Sequence, residues 1–125
     1  MDVPPNDPFF TDASLASNDP ADRLSDQELL RLLARGDQLP LYTLYDRYAV
    51  GMRARAYFVT RNEQLSSDTV HYTFIRLLRL GKKMKSIDDL KKWLNAAARK
   101  EATLLMEEPP YPGETFEERA ARRFR

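Results

Sequence analysis

The chain has 125 residues, no cysteine and one histidine, with 20 Lys/Arg against 19 Asp/Glu and a formal charge of +1. That length suits one small domain, which is stable only if most of its apolar side chains enter the core. Disulfides and thiolate metal sites are excluded; with no basic-then-apolar leader pattern and no membrane-length apolar run, the expectation is a soluble cytoplasmic protein.

The small net charge conceals a segregation. Residues 1–20 carry four Asp and no basic residue, residues 21–106 carry sixteen Lys/Arg against ten Asp/Glu, and residues 107–125 carry five Glu against four Arg. A positive centre beside an acidic arm fits an anionic partner for the centre, with the arm able to screen it.

In chain order, "MDVPPNDPFFTDASLASNDPADR" holds four prolines among scattered apolar residues and reads as a disordered acidic arm over residues 1–23. "SDQE" at 25–28 is a capping box, and Leu29, Leu30, Leu32 and Leu33 follow it as the apolar face of a first helix ending at Gly36. Asp37 is the expected cap of a second helix, with Pro40 in its first turn. Leu41, Leu44, Tyr45, Tyr48, Met52, Ala56 and Val59 keep helical spacing through that helix. "TRNEQLSS" is a polar connection, after which Ser66 or Ser67 caps a third helix with Val70, Phe74, Leu77 and Leu78 inward.

"KKMK" at 82–85 is a basic loop, and Ser86 with Asp89 resembles a second capping box opening a fourth helix. Leu90, Trp93, Leu94, Ala97, Ala98 and Leu105 form its inward stripe, and "PPYPG" stops the chain after it. Thr115 and Glu118 are placed to cap a short terminal helix, but the sequence names no surface for it, so residues 107–125 read as a linker-like tail. Strand patterns and internal repeats are lacking. The expected fold is all-α, a compact bundle of about four helices over residues 24–106.

From Ser25 to about Met106 the chain resembles domain 2 of bacterial sigma factors, of the extracytoplasmic-function group in the sigma-70 family. The resemblance rests on four motifs in order, carried by three stretches of which the first holds two. "SDQELLRLLARGDQLPLYTLYDRY" looks like the family's opening, a helix, a Gly-Asp break and an aromatic-Asp-Arg-Tyr signature. In "SSDTVHYTFIRLL", Asp68, Val70, Thr73, Phe74, Arg76 and Leu77 match an acidic helix that runs into an aromatic and a Leu-rich turn. In "IDDLKKWLNAAARKEATLL", Trp93, Leu94, Ala98 and Arg99 match an aromatic-Leu pair followed by Ala-Arg-Asn, with Lys100 in place of the Asn.

The resemblance implies a transcription-initiation module with two partners. The third helix, with part of the second, would dock on the clamp coiled coil of core RNA polymerase, through Asp46, Arg47, Asp68, His71, Tyr72, Ile75 and Arg76. Of these, Asp68, His71, Tyr72, Ile75 and Arg76, with Arg79, lie off the apolar stripe of the third helix and are expected on an open rim. The loop and fourth helix would contact single-stranded −10 promoter DNA through Lys82, Lys83, Lys85, Lys92, Asn95, Arg99 and Lys100. Lys92, Asn95 and Arg99 fall at i, i+3 and i+7 on one helix face, a strip suited to a phosphate backbone. Trp93 is expected in the core rather than against a base, which leaves Met84 as the loop's apolar candidate for a base pocket.

His71, as the lone histidine, gives no metal site, and no cofactor is expected. Nucleophile-base pairs and Gly-rich phosphate loops are missing, which argues against an enzyme. Glu101 interrupts the middle of the fourth helix with negative charge, and Glu107 and Glu108 at its end oppose the macrodipole and repel DNA there. They motivate the alternative reading, a degenerate sigma-like interaction module that binds polymerase or an anti-sigma factor without recognising a promoter.

Overall fold

The structure, a computed structural model, describes residues 23–124; the expected acidic arm lies outside them apart from Arg23. Five α-helices and one 3-10 turn account for the described fold, and no strand occurs among these residues: α1 Asp26–Ala34, α2 Leu39–Thr60, α3 Glu63–Arg79, the turn Gly81–Ser86, α4 Leu90–Glu107 and α5 Phe116–Arg123. The all-α expectation holds. No described helix is long and apolar enough to cross a membrane.

Local chemistry sets most boundaries. Ser25 Oγ accepts from the Glu28 amide at 3.1 Å while Glu28 Oε1 accepts from the Ser25 amide at 2.9 Å, the reciprocal pairing expected of the capping box. These bonds hold the Glu28 carboxyl below its usual range. At the other end of α1, Gly36 takes a φ of 101°, its amide donates to Leu33 O, and the Asp37 amide donates to Leu32 O. This paired return is a Schellman stop, which a side chain at position 36 would strain.

Three expected caps move. Asp37 Oδ1 does accept from the Leu39 amide at 3.0 Å, but the N-cap position of α2 falls on Gln38. The cap of α3 is Asn62, whose Oδ1 accepts from the Leu65 amide at 2.8 Å, rather than Ser66 or Ser67. Asn is as good a cap as Ser, and its earlier position lets α3 gain a turn. Ser66 is instead buried inside that turn, sharing a 2.8 Å hydrogen bond with Thr60. Asp89 caps α4 through the Lys92 amide, while Ser86 donates to Lys83 O and closes the 3-10 turn.

The core lies where α2, α3 and α4 meet, with α1 laid across α2 and the 3-10 turn. Leu29, Leu30 and Leu33 of α1 meet Leu44 and Met52 of α2, Val70, Phe74 and Leu77 of α3, and Leu90, Leu94 and Ala98 of α4. Burying a Leu or Phe side chain contributes about 1.5–3 kcal/mol, so this cluster carries most of the fold. Gln27 reaches across the sequence and donates to the carbonyls of Ile87 and Asp88 at 2.9 and 2.6 Å, fastening α1 to the end of the turn. Arg47 bonds Asp26 Oδ1 at 2.7 Å, and the Tyr48 hydroxyl donates to Asp26 Oδ2. Burial first, and then the Asp26 carboxylate, push the Tyr48 phenol up to about 12.

Not every apolar position of the pattern faces inward. Leu78 and Val59 are partly exposed, and Leu39, Tyr42 and Val50 stand on the outer side of α2 in solvent. Met84 corrects the reading of the basic loop. It is 2 % exposed and belongs to the core cluster, so it offers no base pocket. Over its six residues the 3-10 segment turns one side to the core, where Met84 is drawn in while its lysine neighbours stay in solvent.

Candidate nucleic-acid groove and docking face

Two surfaces gather the residues singled out by the sequence. The first is a groove of about 560 Å³ between the C-terminal half of α2 and α4. Met52, Ala56 and Ala98 line its buried base, and Lys92, Asn95 and Arg99 rise along one wall, as their helical spacing requires. Arg55, Phe58 and Val59 of α2 form the opposite wall. Arg55 donates to Asn95 Oδ1 at 3.1 Å across the opening, which joins the two walls by a hydrogen bond.

A second, shallower groove of about 600 Å³ continues from the first over Lys92 and Ala96. Lys83, Trp93 and Asp89 are among its lining residues. Trp93 is partly buried and packs on the core, in keeping with its expected role as an anchor. Lys82, Lys85 and Lys100 are exposed but line neither of these grooves. The structure therefore brings Lys83, Lys92, Asn95 and Arg99 onto one continuous path and leaves three lysines to its flanks.

Phe58 was not legible as a site residue. It is 72 % exposed on the rim of the groove, between Arg55 and Arg61, whose guanidinium lies 5.9 Å from its ring centre. An exposed aromatic among cations is the chemistry that single-strand binding needs, since a base stacks on the ring while phosphates meet the charges. Its signal in the sequence was weak: Phe58 sits beside the apolar stripe of α2, next to Val59, and reads as more of the same.

The second surface is the outer face of α3. Asp46 is exposed on α2, while Arg47 is occupied at the α1 junction by Asp26 and the Leu24 carbonyl. Asp68 accepts from Gln64 at 2.9 Å, His71 stands between the rings of Tyr45 and Phe116, and Ile75 is half-buried. Tyr72 is a correction. Expected on the open rim, it has no exposed surface and lies beneath α5, stacked on Phe116 at 4.8 Å and tilted against Phe124 at 5.7 Å. Burial raises its phenol above the ordinary range.

The terminal helix thus has a partner surface. Thr115 and Glu118 form the capping box read from the sequence. Phe116, Arg119, Arg123 and Phe124 then fall at i, i+3, i+7 and i+8 on the inner side. Arg123 Nη1 lies 2.8 Å from Glu101 Oε1, and Arg76 Nε donates to Glu101 Oε2 at 2.7 Å. Glu101, read as an acidic interruption in the middle of the basic helix, is completely buried, with an arginine from α3 and another from α5 on its two oxygens. A carboxylate enters the interior only with such compensation, and at position 101 the side chain points away from the groove.

Ahead of α5, Glu114 receives both the Nε and an Nη2 bond of Arg122 at 2.8 Å. That fork holds the Glu114 carboxyl down at about 2. Arg122 also lies 3.9 Å from the centre of the Tyr111 ring, so the residues before α5 are folded back on it.

Compared with known protein families, curated proteins and solved structures, the chain matches none.

Proposed function

We propose that this all-α domain is a sigma-factor-like transcription-initiation module, acting in the cytoplasm as a binding protein rather than an enzyme. Single-stranded −10 promoter DNA would run along the α2–α4 groove, and core RNA polymerase would dock through its clamp coiled coil on the face of α3 with Asp46 of α2. The observation that carries the reading is the meeting of Lys92, Asn95 and Arg99 with Arg55 and the exposed ring of Phe58 around one groove. Those cations track phosphates, and the ring supplies stacking that needs no base identity.

The test is fluorescence anisotropy with a −10 non-target-strand oligonucleotide at several salt concentrations. Wild type binds, and log affinity falls with log salt by about 0.7 for each phosphate neutralised. The triple variant Lys92→Glu/Arg99→Glu/Lys100→Glu loses most of that affinity and flattens the slope. Equal binding by wild type and triple variant removes the DNA assignment.

A second reading is favoured by one specific observation, the covering of α3 by α5 and the burial of Tyr72 beneath it. On this reading the protein is an interaction module for polymerase or an anti-sigma factor, without promoter recognition. Copurification with core polymerase by a protein that fails the anisotropy assay selects it.

A further inference from the structure

The junction beneath α5 differs from the rest of the interior in how poorly its polar atoms are satisfied. Five buried side-chain atoms among the described residues lack a hydrogen-bond partner: Tyr72 Oη, Glu101 Oε1, Arg119 Nε and Nη1, and Arg123 Nη1. All belong to α5 or to residues under it. Glu101 Oε1 and Arg123 Nη1 attract each other at 2.8 Å, yet their geometry does not make a hydrogen bond. Buried groups left in this condition cost stability that water would restore on opening.

Other features point the same way. Eight residues are too few to hold a helix by themselves, so α5 persists only while docked. Its contacts come largely from rings and guanidinium groups, and its backbone makes few close approaches to any other helix. Pro109, Pro110 and Pro112, with Gly113 at a φ of 77°, connect it to α4 outside any helix. Departure of α5 would not strand Glu101 either, because Arg76, on α3 itself, keeps its place on the second carboxylate oxygen.

We propose that α5 is a displaceable cover on the α3 docking face, and that it must lift before core RNA polymerase can engage Tyr72 and the sides of His71 and Arg76 turned toward it. This inference rests on the reading of that face as the polymerase-binding one. In the closed state the rings of Phe116 and Phe124 occupy the surface of Tyr72 where an incoming helix would place its own apolar anchor. Closure lowers the apparent affinity for the partner by the fraction of molecules that are open.

The test uses the full chain and its Phe116→Ala/Phe124→Ala variant, with amide hydrogen exchange and retention of core polymerase measured on both. In wild type, amides of α5 exchange at least tenfold faster than core amides of α3 and α4, through local opening. The double variant exchanges faster still in α5 and binds polymerase several-fold more tightly. A synthetic peptide of residues 109–125 added to the variant reverses the gain, and the same peptide with both Phe→Ala changes does not. Arg122→Ala, which cuts the tie to Glu114 without touching α3, shifts exchange and binding in the same direction.

Exchange of α5 in step with α3 and α4 would make it part of the permanent core and overturn the proposal. Equal polymerase affinity for wild type and variants, with α5 opening locally, overturns it as well. Polymerase retained by none of them, with α5 open, removes the polymerase reading and the cover's regulatory role together.

Discussion

Replacing Glu101 by Gln keeps the shape of the buried side chain and deletes its charge. The carboxylate sits between two guanidinium groups, with Arg76 Nε 2.7 Å from one oxygen and Arg123 Nη1 2.8 Å from the other. Removing one member of a buried ionic cluster costs about 3–5 kcal/mol, because the remaining charges lose their compensation. Two escapes reduce the figure here. The Arg76 side chain is 37 % exposed and can turn toward water, and Arg123 can leave with α5. We expect a loss of about 2 kcal/mol, which for a domain of this size lowers Tm by roughly 8–16 °C. Urea denaturation followed by far-UV circular dichroism and Trp93 fluorescence measures it, with Arg123→Ala as the comparison that leaves Arg76 on Glu101. A loss below about 0.5 kcal/mol, the level of a solvent-exposed pair, would show that the buried cluster contributes no more than a surface one and refute the reasoning.

The remaining expectations address each surface in turn. Phe58→Ala should weaken binding of the −10 oligonucleotide by about 1–3 kcal/mol, the range for one base-stacking ring, and leave the urea midpoint nearly unchanged because the ring is exposed. Equal anisotropy curves would exclude stacking at that position. Arg61 ends α2 in the left-handed region at a φ of 52°, where Arg61→Gly should stabilise by about 0.5–1 kcal/mol, read from thermal melts. The Glu114 carboxyl, held at about 2 against an ordinary 4.5 by the Arg122 fork, gives a pH window. A depressed acid stabilises fully above its unfolded value, so the anchoring of α5 should weaken as pH falls from 4.5 toward 2. Hydrogen-exchange protection within residues 116–124, corrected for intrinsic exchange, follows that change, and Arg122→Ala should reduce its pH dependence.

Periodicity and capping made the bundle legible. Leu29, Leu30 and Leu33 of α1, most of the three-and-four spacing of α2 and α4, and the Ser25–Glu28 box appear in the structure as they read in the sequence, while Leu32 is only half-buried and Val59 turns outward. Lys92, Asn95 and Arg99 were legible as a strip on one helix face because a single helix carries all three; that the strip walls a groove was not. The opposite wall was not, since Arg55 and Phe58 meet them only through tertiary packing between elements forty residues apart. Met84 misled for a related reason: a basic loop reads as exposed, while burial of its one apolar side chain depends on what lies beneath it. The partner of α5 was hidden because Phe116, Arg119, Arg123 and Phe124 read as tail residues until α3 and α4 supply Tyr72 and Glu101 opposite them.

Gln27 gives the basic turn a property that composition alone does not suggest. Its side-chain amide grips two successive carbonyls just past Ser86, while Met84 is held from below by the core. Lys82, Lys83 and Lys85 therefore project from a scaffold clamped at both sides rather than from a wandering loop. Any anion meeting them finds the backbone already set, and the entropy of ordering that stretch was spent during folding instead of at encounter. A Gln27→Ala protein would show this as a change in how long ligands stay: similar charge and similar steering, but a turn that must be brought to order on binding, with the penalty appearing mainly in dissociation rates.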